Sequence, residues 1–164
     1  MNEGGKLFVV MGVSGCGKTT LGKALAADRG IPFFDGDDYH PAANIEKMSA
    51  GIALDDEDRK GWLEQLNELL QAHRRTGAIV ACSALKQSYR KILSKDLDQI
   101  IWVYLEGSYE AILNRLKKRK GHYMPPSLLS SQFEALEPPQ DAIRVSVGLT
   151  VAEALEKIGL EARS

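Results

Sequence analysis

Leu7-Phe8-Val9-Val10-Met11-Gly12-Val13-Ser14-Gly15-Cys16-Gly17-Lys18-Thr19-Thr20 is the stretch that decides the fold. Its first five residues form an unbroken apolar run, as a strand buried on both faces requires, and a glycine follows at once. Gly12 to Thr19 then match G-x-x-x-x-G-K-[ST] at every fixed position. From Gly17 the spacing turns helical, with Leu21, Ala24 and Leu25 on one face, until Arg29 and Gly30 supply a basic last turn and a glycine stop. Strand, glycine loop and helix in this order make a phosphate cradle. Glycines let backbone N–H groups turn inward around phosphate oxygens, and the helix aims its N-terminal dipole at the same anion. The expected ATP-binding residues are Gly12, Val13, Ser14, Gly15, Cys16, Gly17, Lys18, Thr19 and Thr20. Lys18 is expected to reach the β and γ oxygens and to act in catalysis, and the Thr19 hydroxyl is suited to Mg²⁺.

Outward from this stretch the same alternation repeats. Ile31 to Phe34 predicts a second strand, ending in the acidic cluster Asp35-Gly36-Asp37-Asp38. Helical spacing covers about Ala42 to Ala50 and Asp56 to Arg75, where Trp62, Leu63, Leu66, Leu69 and Leu70 make an apolar stripe. Ala78 to Cys82, Ile100 to Leu105 and Ile143 to Val147 predict three more strands. Helices are expected over Gln87 to Ser94, Tyr109 to Lys118, Ser127 to Leu136 and from Val151. Five βα alternations predict an α/β fold, a parallel five-stranded sheet flanked by helices on both faces, because right-handed crossovers place them there. Ligands then belong at the carboxyl ends of the strands. Length predicts a single domain, 164 residues being too few for two ordinary ones.

Composition narrows the function classes. With 21 basic and 22 acidic side chains there is no global electrostatic reason to bind nucleic acid or a membrane surface, so any anion site must be local. Cys16 and Cys82 lack metal-ligand spacing, and no signal peptide or long apolar span is evident, so a cytoplasmic location is expected. The strands at Val80 and Val103 do not end in aspartate. The usual carboxylate for Mg²⁺ is therefore missing there, and Asp35 becomes the candidate metal ligand beside Thr19. That absence separates the chain from GTPases and motor ATPases and favours small-molecule kinases.

A hydroxyl that attacks phosphorus is helped by a carboxylate that orients it and accepts its proton. Asp37 is the candidate for that role. An acidic turn capping the next helix is the other reading of the cluster, and it suits Asp38 best. Lys117 to Pro126 leaves a helix as a basic run and reaches Gly121. Phosphoryl transfer spreads negative charge over equatorial oxygens, so Arg119, on a mobile lid spanning about 117–126, and Arg115, just before it, are candidate catalytic cations; a solvated basic face is the alternative.

Asp35-Gly36-Asp37-Asp38-Tyr39-His40-Pro41 with Asn44, Lys47 and Met48, then Gly51, Leu54, Asp56, Asp58, Arg59, Trp62 and Leu63, resemble the gluconokinase pattern. Cys82-Ser83-Ala84-Leu85-Lys86 with Tyr89-Arg90, then Arg115, Arg119, Lys120-Gly121-His122 and Ser131-Gln132-Phe133, continue the resemblance, which spans about Val9 to Pro138. Ala53 and Gly61 stand where proline is usual, a departure that touches loop rigidity rather than chemistry. The resemblance implies a P-loop kinase related to shikimate and adenylate kinases. It implies transfer of the γ-phosphate of ATP to D-gluconate, with Mg²⁺ required and a homodimer possible. A shikimate kinase-like enzyme for another small metabolite is the alternative. A sugar acid needs a forked cation and neutral polar partners. The residues expected to bind it are Asp37, His40, Arg59, Lys86, Arg90 and His122, with Gln132 carried over by resemblance alone.

Overall fold

The computed structural model describes residues 5–118 and 126–162. Five strands and seven α-helices alternate through them: β1 (Leu7–Met11), α1 (Lys18–Arg29), β2 (Phe33–Asp35), α2 (Ala42–Ser49), α3 (Asp56–Ala72), β3 (Ala78–Ala81), α4 (Gln87–Leu93), β4 (Ile100–Glu106), α5 (Tyr109–Lys118), α6 (Pro126–Ala135), β5 (Ile143–Ser146) and α7 (Val151–Glu161). A short 3₁₀ turn, Gly36–Tyr39, joins β2 to the next segment. The strands lie in the order β2-β3-β1-β4-β5 and every pairing is parallel.

Each face of the sheet has its own core, because successive strand side chains point to opposite sides. Phe8, Val10, Ile79 and Val103 pack with Leu21 and Leu25 of α1, Ile112 of α5 and Ile158 of α7. Leu7, Val9, Met11, Val80 and Tyr104 pack on the other side with Trp62, Leu63, Leu66 and Leu70 of α3 and Leu93 of α4. Full burial of each such leucine contributes about 2 kcal/mol relative to exposure. This double coverage explains why β1 and β3 are apolar at every position.

The segments that carry chemistry are fixed at their ends. Asp55 caps α3 by accepting from Asp58 N–H, and Asp58 returns the bond to Asp55 N–H. Gly61 lies in the second turn of α3 rather than in a loop, with open space where a Cβ would stand, so its departure from proline concerns helix propensity. Gly36 is buried, and a Cβ there would stand 2.5 Å from the Ala81 carbonyl oxygen, so the position requires glycine. That close approach seats the acidic cluster against the carboxyl end of β3.

Candidate active site

The loop after β1 turns on glycines in the left-handed region, Gly15 at φ 83° and Gly17 at φ 97°. Gly17 caps α1 with no side chain in the way, so the first-turn N–H groups of the helix face the loop's concavity. Lys18 Nζ donates to the carbonyls of Gly12 and Val13 at 3.0 and 3.1 Å. Arg115 reaches across from the last turn of α5 to donate from Nε to the Gly15 carbonyl at 3.2 Å, and Leu116 packs over Gly15. Arg115 thus stands at the phosphate loop, where the sequence expects a cation. Arg119 and His122 lie outside the described residues, as does most of the expected lid.

Gln132 of α6 also meets this loop. Its Oε1 accepts from Ser14 N–H at 2.7 Å and its Nε2 donates to Ser14 Oγ at 3.0 Å. The resemblance gives Gln132 a sugar-acid contact, whereas the structure engages both ends of its amide with Ser14. No periodicity in the sequence connects residues 118 positions apart, so only the folded chain reveals this clamp.

Asp35 ends β2 with both carboxylate oxygens engaged. Oδ2 accepts from the Thr19 hydroxyl at 3.3 Å and Oδ1 caps the 3₁₀ turn by accepting from Asp37 N–H at 3.0 Å. A hydroxyl and a carboxylate at this spacing are hard oxygen donors that fit Mg²⁺, which takes one or two protein oxygens and completes its shell with phosphate and water. Asp37 projects from the turn, its side chain 81% exposed. Its pKa is raised above the usual 3.8. The walls around it thin its hydration although solvent still reaches the carboxylate, Asp35 adds to the rise, and Lys18 opposes it. Asp37 therefore lies within the field of the phosphate-loop lysine.

His40 follows, its side chain only 5% exposed and its Nε2 3.9 Å from Asp37 Oδ1. The ring stacks on Trp62, with centroids 4.0 Å apart and planes 18° from parallel. Burial, reinforced by the charge of Arg59, lowers the His40 pKa to about 4, so the imidazole is neutral near pH 7. Trp62 itself donates from Nε1 to the Gly36 carbonyl at 2.7 Å, so this core residue also braces the site.

Arg59 and Lys86 come together around Tyr89 and Asp56. Arg59 Nη1 donates to the Leu54 carbonyl at 2.7 Å and to Tyr89 Oη at 3.2 Å, with its guanidinium over the Tyr89 ring. Tyr89 donates to Asp56 Oδ1 at 2.6 Å, and Lys86 Nζ pairs with the same oxygen at 3.3 Å. Those contacts hold Asp56 below the ordinary carboxylate range and raise Lys86. Arg90 behaves differently. It is 9% exposed, with Nη1 donating to the Ala84 and Leu85 carbonyls and Nη2 to the Glu137 carbonyl. Its guanidinium braces the turn after β3, where Ala84 sits at φ 44°, a conformation that costs a non-glycine residue about 1–3 kcal/mol. Arg90 is expected at the sugar acid, and here its guanidinium is engaged by these backbone carbonyls. The sequence, showing only a basic helix surface, could not separate it from Lys86.

The comparisons with known proteins agree with this geometry. The model of the shikimate kinase family matches residues 14–137, which places the chain among P-loop kinases of that type. The thermosensitive gluconokinase of Escherichia coli K12 is 49% identical over 160 residues, covering 93% of this chain and 85% of that protein. The gluconokinase of Gluconobacter oxydans 621H is 47% identical over 146 residues, covering 86% of this chain and 82% of its own. The crystal structure of a gluconokinase from Sinorhizobium meliloti 1021 superposes with a TM-score of 0.88 at 43% identity, covering 96% of this chain and 94% of that one. With relatives this similar over most of its length, the chain belongs to the gluconokinase family of P-loop kinases.

Proposed function

We infer that the protein is a gluconokinase, moving the γ-phosphate of ATP onto a hydroxyl of D-gluconate to give 6-phosphogluconate and ADP. The observation that carries this reading, beside the gluconokinase relatives, is the hydrogen-bonded path from the phosphate loop to Asp37, in which Asp35 accepts from the Thr19 hydroxyl and from Asp37 N–H. A carboxylate able to take a proton thus lies near the loop that holds the transferring phosphoryl group. The shikimate kinase model matches residues 14–137, but relatives at 42–49% identity favour gluconate over shikimate.

In this reading the backbone N–H groups of 12–20 hold the ATP phosphates, and Lys18 moves from its carbonyls to the β and γ oxygens. Arg115 adds a second cation at the same loop. Thr19 and Asp35 would hold Mg²⁺, which would supply positive charge to the phosphate oxygens. Gluconate lies on the other wall, its carboxylate met by Arg59 and Lys86 and its reacting hydroxyl by Asp37 and His40. Asp37 orients that hydroxyl and accepts its proton as the oxygen bonds to phosphorus. Arg119 and His122 are proposed to complete the site from a closing segment at about 117–126. The two free, buried cysteines fit a reducing cytoplasm, and a homodimer is the assembly the family resemblance suggests. No described helix is long and apolar enough to cross a membrane.

A coupled ADP-release assay across gluconate, other aldonates and shikimate tests the reading. ADP release is expected with gluconate and Mg²⁺. Turnover of shikimate with none of gluconate would overturn it.

A further inference from the structure

The His40 ring has two nitrogens, and the surroundings determine which one carries the proton. Asn44, 3% exposed on α2, points its amide nitrogen at the Asp58 main-chain carbonyl at 3.0 Å. A carbonyl oxygen only accepts, so the atom facing it must be the NH₂ group rather than the amide oxygen. The same nitrogen stands 3.2 Å from His40 Nδ1 and has a second hydrogen to give. Nδ1 is therefore an acceptor, and the proton of the neutral ring belongs on Nε2. Nε2 is the nitrogen that faces Asp37 Oδ1 at 3.9 Å, too far for a direct hydrogen bond. An oxygen about 2.8 Å from each would bridge them at an angle of about 90°, which suits a hydroxyl that accepts one hydrogen bond and donates another.

We propose that Asn44 is a positioning residue: by donating to Nδ1 it fixes His40 as the Nε2–H tautomer, leaving Asp37 as the acceptor of the gluconate hydroxyl's proton. In the opposite tautomer a bare Nε2 would compete with Asp37 for that single hydrogen. With Nε2–H in place, the hydroxyl oxygen accepts from the imidazole and turns its O–H toward the carboxylate. As the oxygen bonds to the γ-phosphorus, the bond from that phosphorus to the bridging oxygen of ADP breaks, and the hydroxyl proton passes to Asp37. Among the described residues, Asp37 and Arg59 are the charged groups that face the ring, while Trp62 holds its plane. Asn44 also ties α2 to the first turn of α3, where Lys47 pairs with Asp58 at 2.7 Å, so tautomer and wall geometry are set together.

This inference rests on Asp37 as the proton acceptor, but its test can be read without turnover. The chain has three histidines, so long-range ¹H–¹⁵N correlation spectra resolve each ring, and His40→Gln identifies the signals of interest. The wild-type protein is expected to show His40 protonated on Nε2 and not on Nδ1 between about pH 6 and 8. In Asn44→Ala the two tautomers should mix, and kcat for gluconate should fall about tenfold with the KM for ATP unchanged. Protonation on Nδ1 in the wild type, which needs no variant to observe, would overturn the proposal. So would an unaltered Nε2–H signal in Asn44→Ala. A wild-type enzyme with the expected tautomer that does not phosphorylate gluconate would instead break the functional reading and leave the tautomer assignment standing.

Discussion

The two walls of the proposed site are built by opposite strategies. The phosphate wall is local: a run of nine residues, 12–20, supplies glycines, a lysine, a hydroxyl and a helix N-terminus, and its main anion ligands are backbone N–H groups. The acceptor wall is assembled from afar. Arg59 meets Tyr89 across 30 residues, Trp62 meets Gly36 across 26, and Asn44 meets Asp58 across 14. Phosphate has one shape and can be held by a fixed loop of backbone. A sugar acid displays a carboxylate and several hydroxyls, so its wall needs side chains of several kinds, each oriented by a partner.

If the walls are separable in this way, substitutions should divide between ATP and gluconate. The largest loss belongs to Lys18→Ala, which removes the charge that neutralises the transferring phosphate and should lower kcat by about 10³ or more. The thermal midpoint should barely change, since among the described residues Lys18 Nζ bonds to loop carbonyls alone. Near-normal turnover at saturating ATP would break the phosphate-wall assignment. On the other wall, Arg59→Lys replaces a fork with a point charge and should raise the KM for gluconate about tenfold while that for ATP stays put. An unchanged gluconate KM would return Arg59 to a role in holding the Leu54 turn.

Gln132→Ala sharpens the comparison with a smaller effect. Losing both bonds to Ser14 should raise the KM for ATP about three- to tenfold. A shift confined to gluconate would restore the sugar-acid contact that the resemblance implies. The smallest effect is expected at Gly61, where Gly61→Ala adds a methyl group into open space on α3. It should stabilise the protein by about 0.5–1 kcal/mol, raising Tm by roughly 2–3 °C without altering kcat. A fall in Tm would mean that α3 uses the glycine in a way its geometry does not show.

The same contrast explains what the sequence made legible. All five strands and seven helices fall within a few residues of their expected places, because buried strands and amphipathic helices write their periodicity directly into the chain. The phosphate loop was legible for the same local reason. The 3₁₀ turn at Gly36–Tyr39 was not, since it depends on an Asp35 cap and on Gly36 approaching β3. On the acceptor wall Asp37 was legible from the acidic cluster itself, whereas His40 and the cations around it were reached with the help of family resemblance. Even there, Arg90 and Gln132 were expected at gluconate although one is folded onto backbone carbonyls and the other onto Ser14. A basic residue on a helix carries no mark of which way it points, and the partner that decides lies dozens of residues away.

The most direct test of a proton acceptor facing a separately built phosphate cradle is calorimetric binding of ATP and of gluconate to Asp37→Asn, measured alongside its turnover. Asparagine keeps the shape and removes the base, so kcat should fall by about 10² to 10⁴ while both dissociation constants stay within about threefold of wild type. Loss of ATP affinity in parallel with kcat would contradict this account, moving Asp37 from the acceptor hydroxyl to the metal and phosphate.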